Sequence, residues 1–194
     1  RDQLRALVRA DQEGELETIP FVLVRHAKAV SRSAYDGPDD QQRPLDDLGH
    51  ERARDLVALF RAYGVERVGS SPSVRCVDTV VPYAESLGRS VRLHPSLSEE
   101  DHAVDPAAAA EVTRLQLDKR RSRVLCGHGP VLPTMLHVLS AQCSASESGR
   151  AAQVTIDDAI DLGLAKGEVL VAHISRSPVL GPQVVAVERY LPPA

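Results

Sequence analysis

Apolar side chains recur along the chain in two rhythms, short unbroken runs and a spacing of three to four residues. The alternation of the two predicts strands alternating with helices. FVLV at 21–24 is short and continuous, as in a strand buried on both faces, and it runs straight into Arg25-His26. Residues 31–45 are polar, with Gly37-Pro38 and Arg43-Pro44 as breakers, and read as a loop. Asp46 or Asp47 can cap a helix whose Ala53, Leu56, Val57, Phe60 and Tyr63 share one face and which ends at Gly64. VERVGSS (65–71) reads as a second strand. Ser73 then opens a helix with Val77, Val80, Val81, Ala84 and Leu87 on one face, kinked at Pro82 and ended by Gly88.

The same rhythm continues. VRL (91–93) reads as a third strand, Pro106 to Lys119 as an Ala-rich helix, and RVLCGHG (123–129) as a fourth strand and its turn. Pro130 suits the first turn of a helix whose core face is Val131, Thr134, Met135, Val138 and Leu139. Residues 142–152 read as a loop, and EVLVAHI (168–174) with QVVAVERY (183–190) as a terminal hairpin. Strands and helices alternate through residue 141, which predicts an α/β domain: a three-layer sandwich around a mostly parallel sheet. Residues 1–19 are polar and charged and read as a linker or the end of an upstream domain, with LRALV at 4–8 as its last helix; the domain itself is assigned to 20–194.

Composition narrows the picture only a little. A chain of 194 residues suits one domain, and with 43% hydrophobic but 3% aromatic residues its core must be built from Leu, Val and Ala. The net charge is −4, with acids and bases interspersed, which argues against a nucleic-acid partner held by a broad basic surface. Cys76, Cys126 and Cys143 are far apart and form no C-x-x-C, so neither a disulfide framework nor a structural zinc is expected, and a cytoplasmic setting fits. No unbroken apolar stretch reaches the roughly 18 residues of a membrane span.

The chemistry is concentrated at the strand ends. Ligands of open parallel sheets sit beyond the carboxyl ends of the strands. Here those ends carry Arg25-His26, then Ser70-Ser71-Pro72 with Arg75 one turn into the next helix, then Leu97-Ser98-Glu99-Glu100, then Gly127-His128-Gly129. Guanidinium forks and imidazole donors match a phosphate dianion, and a neutral imidazole is a competent nucleophile toward phosphorus. Ser71 and Gly129 fall on the same edge as candidates for substrate binding. Lys28 and Arg32 either reach the leaving group or lie in a solvated loop. Cys76 reads as a small packing residue. The pair Asp39-Asp40 raises the thought of a metal, but a flexible loop is the better reading. His102 lies close to the glutamates and either touches substrate or, as the better reading, serves the surface or packing.

Five motifs follow one another in family order: R-H-A at 25–27, R-P-L-x-x-x-G from Arg43 to Gly49, S-S-P-x-x-R-x-x-x-T at 70–79, L-x-E at 97–99 and G-H-G at 127–129. Over roughly residues 20–141 the chain resembles the histidine phosphatase superfamily, in particular its small SixA-type branch. The resemblance implies a phosphoglycerate-mutase-like fold and hydrolysis through a phosphohistidine on His26. Arg25, Arg75 and His128 would form the phosphate pocket with Arg43 at its rim, and Glu99 would be the general acid, with Glu100 as rival. It implies no resident cofactor or metal, Mg²⁺ entering only on a nucleotide. Ala27 stands where the family's usual glycine follows the nucleophile.

A looser likeness, to the C-terminal half of actinobacterial MutT-type Nudix proteins, implies nucleotide substrates such as 8-oxo-dGTP, an upstream Nudix domain and a homodimer as partners. No nucleic acid or membrane partner is implied. Two other readings stay open: a SixA-like phosphatase of phosphohistidine proteins, and a non-catalytic dimerisation or nucleotide-binding module.

Overall fold

The strand expected at 21–25 runs from Thr18 to Arg25 (β1) and lies between two apolar layers. Phe21 and Leu23 pack into one, Val22 and Val24 into the other, which is why its sequence is apolar without alternation. The computed structural model describes residues 17–177 and 181–192. After β1 come α1 (Asp47–Ala62), β2 (Arg67–Ser70), α2 (Val74–Ser86), β3 (Arg92–Leu93), α3 (Glu99–Val104), α4 (Pro106–Leu117) and β4 (Arg123–Gly127). Then follow α5 (Leu132–Ser140), α6 (Glu147–Leu162), β5 (Val169–Ser177) and β6 (Gly181–Tyr190).

The six strands form one sheet in the order β3-β2-β4-β1-β5-β6. β3, β2, β4 and β1 run parallel, while β5 is antiparallel to β1, and β6 to β5. The sheet is therefore mostly parallel and the three-layer expectation holds: α1 and α2 cover one face, and α4, α5 and α6 the other. Register aligns the strand ends that matter, since Arg25 lies opposite Gly127 and Ser70 opposite Cys126.

Two expectations change. Residues 142–152 are not one loop, because α6 begins at Glu147. Ser146 caps it by accepting from the Gly149 amide at 3.1 Å, and its buried face is small and sparse: Ala152, Ile156 and Ala159. Gly149 resembles a breaker in sequence, yet it is there because a Cβ would meet the Ser144 carbonyl oxygen at 2.2 Å. The terminal hairpin forms as expected, and β5 joins the sheet beside β1, with Leu170 and Ala172 filling one layer and Val169 and Val171 the other. The segment assigned as linker to residue 19 gives Thr18 and Ile19 to β1, and the proposed helix at 4–8 lies outside the described residues. Pro82 sits inside α2, which continues to Ser86.

The R-P-L-x-x-x-G run is structural glue for the loop that follows His26. Val30 donates to the Pro44 carbonyl at 3.1 Å, Asp46 to that of Lys28 at 3.0 Å, and Leu45 packs with Ala27, Ala29 and Ala53. Asp46 caps α1 by accepting from the Gly49 amide at 2.8 Å. Gly49 brings α1 so close that a Cβ would stand 2.0 Å from the Lys28 carbonyl oxygen. Backbone on both sides leaves no flexible neighbour to yield, so Gly49→Ala should destabilise the domain by about 1–3 kcal/mol, the usual range for overpacking. Urea denaturation measures it; an unchanged midpoint would show that α1 can shift freely.

Candidate active site

Four segments bring their ends together over β1 and β4. His26 is buried, and its Nδ1–H donates to its own neighbour's carbonyl, Ala27 O, at 2.7 Å. That bond fixes the tautomer and leaves Nε2 as the nitrogen with a free lone pair. Burial pushes the His26 pKa down to about 3, and the nearby charges of His128, Arg75 and Arg25 act in the same direction against the bond to Ala27. The ring is therefore neutral at physiological pH.

Arg25 is held from behind. Its Nη1 donates to the Leu164 carbonyl at 2.7 Å, and Gly129 lies against the guanidinium, where a Cβ would come within 3.1 Å. The 163–168 turn that offers Leu164 is itself pinned by Glu168, a buried carboxylate that accepts from the Ala165 amide at 2.6 Å and from Arg189 at 2.7 Å. Arg75 has no solvent exposure. Thr79 ties its helix to the loop that follows β1: Oγ1 accepts from the Ala27 amide at 2.9 Å and donates to the Arg75 carbonyl at 2.7 Å. The threonine of S-S-P-x-x-R-x-x-x-T is thus a brace between His26 and Arg75. The Nε of Arg25 and the Nε of Arg75 are each buried without an acceptor among the described residues, two N–H donors suited to an anion.

His128 carries the proton that His26 lacks. The two rings meet edge to face with centroids 5.3 Å apart. Nδ1 of His128 is 3.2 Å from Glu99 Oε1, and Nε2 is 2.9 Å from Ser71 Oγ. Burial works against the charged form, but the Cys76 sulfur and the Glu99 carboxylate more than offset it and raise the His128 pKa to about 9. Glu99 is correspondingly held well below the usual carboxylate range by its hydrogen bond from His128, against burial, with Arg75 helping. It stands at the first position of α3, capped by Ser98, while Glu100 is exposed. Cys76 is fully buried with its sulfur 3.3 Å from His128 Nε2.

The sequence-derived candidates separate here. His26, Arg25, Arg75, His128, Glu99, Ser71 and Gly129 cluster at one edge of the sheet. Lys28 does not join them: its Nζ pairs with Asp46 at 3.3 Å at the start of α1. Arg43 is buried, but its fork is spent on Asp40, at 2.7 and 3.3 Å, and on the Val30 carbonyl at 2.8 Å. His102 bonds Thr134 of α5 at 2.8 Å.

Asp40 was the residue missed. Read as part of a flexible loop, it instead places Oδ2 3.2 Å from Arg75 Nη2 and its backbone carbonyl 2.6 Å from Arg75 Nη1. Glu99 Oε1 lies 3.2 Å from the same Nη2, and the exposed Arg32 bridges both acids. The Arg43 hydrogen bond lowers the Asp40 pKa to about 2, with Arg75 acting in the same direction. The only hint in the sequence was its i,i+3 spacing from Arg43.

His26, Glu99 and His128 offer donor atoms within 4.8 Å of one another, a spacing a cation could use. A cation there would face two guanidiniums and a protonated imidazole, so the charge set suits an anion instead. Asp40 Oδ2 and Glu99 Oε1 both lie 3.2 Å from Arg75 Nη2, while its Nε keeps a free donor among the described residues. Among the described residues no helix is long and apolar enough to cross a membrane.

Residues 21–112 match the family model of the histidine phosphatase superfamily (branch 1). The chain is 33% identical over 132 residues to the 8-oxo-(d)GTP phosphatase of Mycolicibacterium smegmatis, a match that takes in 68% of this chain and 41% of that protein. It thus spans less than half the length of this curated relative. A structure assigned as the phosphohistidine phosphatase SixA from Nakamurella multipartitia superposes with a TM-score of 0.62 at 19% identity, covering 89% of this chain and 96% of that one. The protein histidine phosphatase SixA complexed with tungstate gives a TM-score of 0.56 at 17% identity over 87% and 96%. With the five motifs in order and a buried His26 between two arginines and His128, residues 21–112 are similar to the histidine phosphatase superfamily.

Proposed function

We propose that this domain hydrolyses phosphate bonds of nucleoside di- and triphosphates, 8-oxo-dGTP among them, through a phosphohistidine on His26 and without a resident metal. The observation that carries the reading is the proton arrangement: a neutral His26 with Nε2 free, next to a cationic His128 and two arginines. The nucleotide preference rests on the 33% match to the 8-oxo-(d)GTP phosphatase. Pairing with an upstream Nudix-type domain is part of the same proposal and rests on the sequence resemblance alone.

Nε2 of His26 attacks phosphorus in line. The N–P bond forms as the P–O bond to the leaving group breaks, and the leaving nucleotide departs as an anion. Water then attacks phosphorus, the N–P bond breaks, its electron pair returns to Nε2, and phosphate leaves. Arg25, Arg75 and His128 hold the equatorial oxygens, the charge work a metal does elsewhere. Glu99 is ionised at rest, so the proton for a poorer leaving group belongs to the Glu99–His128 pair as a unit.

The direct test is trapping. Protein mixed with a terminally ³²P-labelled nucleoside triphosphate should acquire acid-labile label within one turnover, in EDTA as in buffer, and His26→Ala should acquire none. Label persisting in His26→Ala would overturn the mechanism. Faster labelling by a phosphohistidine protein than by any nucleotide would move the substrate to the SixA-type reading.

The pH dependence follows from the two histidines. His26 is already neutral above about pH 3, so protonation of the nucleophile gives no acid limb near neutrality. His128 loses a useful positive charge as pH rises through about 9, so kcat/KM should fall there. His128→Gln should be slower and should lack that limb; a profile unchanged in shape would assign the limb to another group.

Asp40 competes with substrate for Arg75. Its removal should tighten anion binding by up to about fivefold, the worth of one partly exposed ion pair of ~1 kcal/mol. Asp40→Asn should lower the inhibition constant for inorganic phosphate accordingly. A weaker phosphate affinity would mean that Asp40 chiefly positions Arg75 for the substrate.

A further inference from the structure

Arginine opens three neighbouring strands of the sheet: Arg67 in β2, Arg92 in β3 and Arg123 in β4. Arg89 precedes β3, and Lys119, Arg120 and Arg121 form the turn between α4 and β4. Together they line a cleft of about 670 Å³. Seven of its lining residues are Arg or Lys and none is Asp or Glu, so the charge is not neutralised within the cleft. It opens at the end of β4 opposite to His128, about 13 Å along the strand at ~3.3 Å per residue, and shares no residue with the catalytic pocket.

Arg123 marks this as more than a charged surface. It is 6% exposed, and its guanidinium donates to Gln116 Oε1 and to the Arg121 carbonyl, both uncharged acceptors. Burial and the charges of Arg176, Arg67 and Arg92 lower its pKa to about 10. Among the described residues no carboxylate comes within 4 Å of Arg67, Arg89, Arg92, Lys119, Arg120 or Arg123; only Arg121 is paired, with Glu66 at 3.0 Å. A buried cation without counter-charge is costly unless an anion completes it. The floor is also closely packed. Gly69 lies under the buried His94, and a Cβ there would stand 2.7 Å from Leu125 Cδ2 and 3.2 Å from the imidazole.

We propose that this cleft binds a small, multiply phosphorylated molecule, at a site separate from the catalytic one. A single phosphate is satisfied by two or three cations, as at Arg25, Arg75 and His128. Seven cations around one cleft match a chain or cluster of several phosphates. The volume fits a small ligand. The lining offers no Phe, Tyr or Trp on which bases of a single strand could stack, which favours a compact polyphosphate over a nucleic acid.

Tripolyphosphate is the probe. Calorimetry is run on the whole chain at low ionic strength, with the catalytic pocket filled by orthovanadate. We expect one further equivalent to bind, more weakly as salt rises. Arg92→Glu/Arg121→Glu changes two exposed side chains and should weaken this binding roughly tenfold or more while leaving hydrolysis of p-nitrophenyl phosphate unchanged. His26→Ala should retain the binding. No second equivalent, or equal affinity in the double variant, would overturn the site. Tighter binding of a short oligothymidylate than of tripolyphosphate would overturn the small-molecule assignment.

Discussion

A guanidinium with no access to water must be surrounded by negative charge at every stage, and Arg75 imposes that requirement on the whole active site. Removing the partner of a buried charge typically costs about 3–5 kcal/mol. Asp40 and Glu99 supply the charge from two directions, one from the loop after β1 and one from the turn after β3. Their need to reach Arg75 explains why the 31–45 loop is ordered by Arg43, by Leu45 and by the close approach of Gly49 to Lys28. What looks in sequence like a polar excursion is a counter-ion on a short tether.

The second organising element is the unequal sharing of protons by two adjacent histidines. Both are buried and their rings touch, so two positive charges would repel strongly at low local dielectric. Neighbours decide the outcome. His26 has a carbonyl on Nδ1 and arginines near it, whereas His128 has a carboxylate on Nδ1. One ring is held neutral and the other cationic, without any difference in residue type.

The strand-end chemistry was legible because a parallel sheet carries each motif to the same edge, whatever loops intervene. β1, β2, β4 and the convergence of His26, Arg75 and His128 follow from short apolar runs ending in polar residues. α6 was not legible, because its buried stripe is mostly alanine and its Gly149 serves contact with Ser144 rather than chain breaking. Asp40 and Lys28 fail for a related reason. Their roles depend on which way a loop side chain turns, and periodicity carries no information about that. The basic cleft was hidden differently: the run Lys119 to Arg123 reads as a solvated turn, and only the sheet brings Arg67, Arg89 and Arg92 to the same edge.

The carboxylates on Arg75 also bear on how a reaction cycle ends. A pocket built to grip phosphoryl oxygens with two arginines and an imidazolium should hold inorganic phosphate as tenaciously as it holds substrate, and an enzyme so built would stall on its own product. Asp40 and Glu99 already lie against Arg75 and are held ionised, Asp40 tethered by Arg43 a single turn away. Each departure of phosphate is met by an intramolecular ligand at very high effective concentration. On the proposed reaction these ion pairs would compete with product phosphate for Arg75, an internal eluent built into the loop.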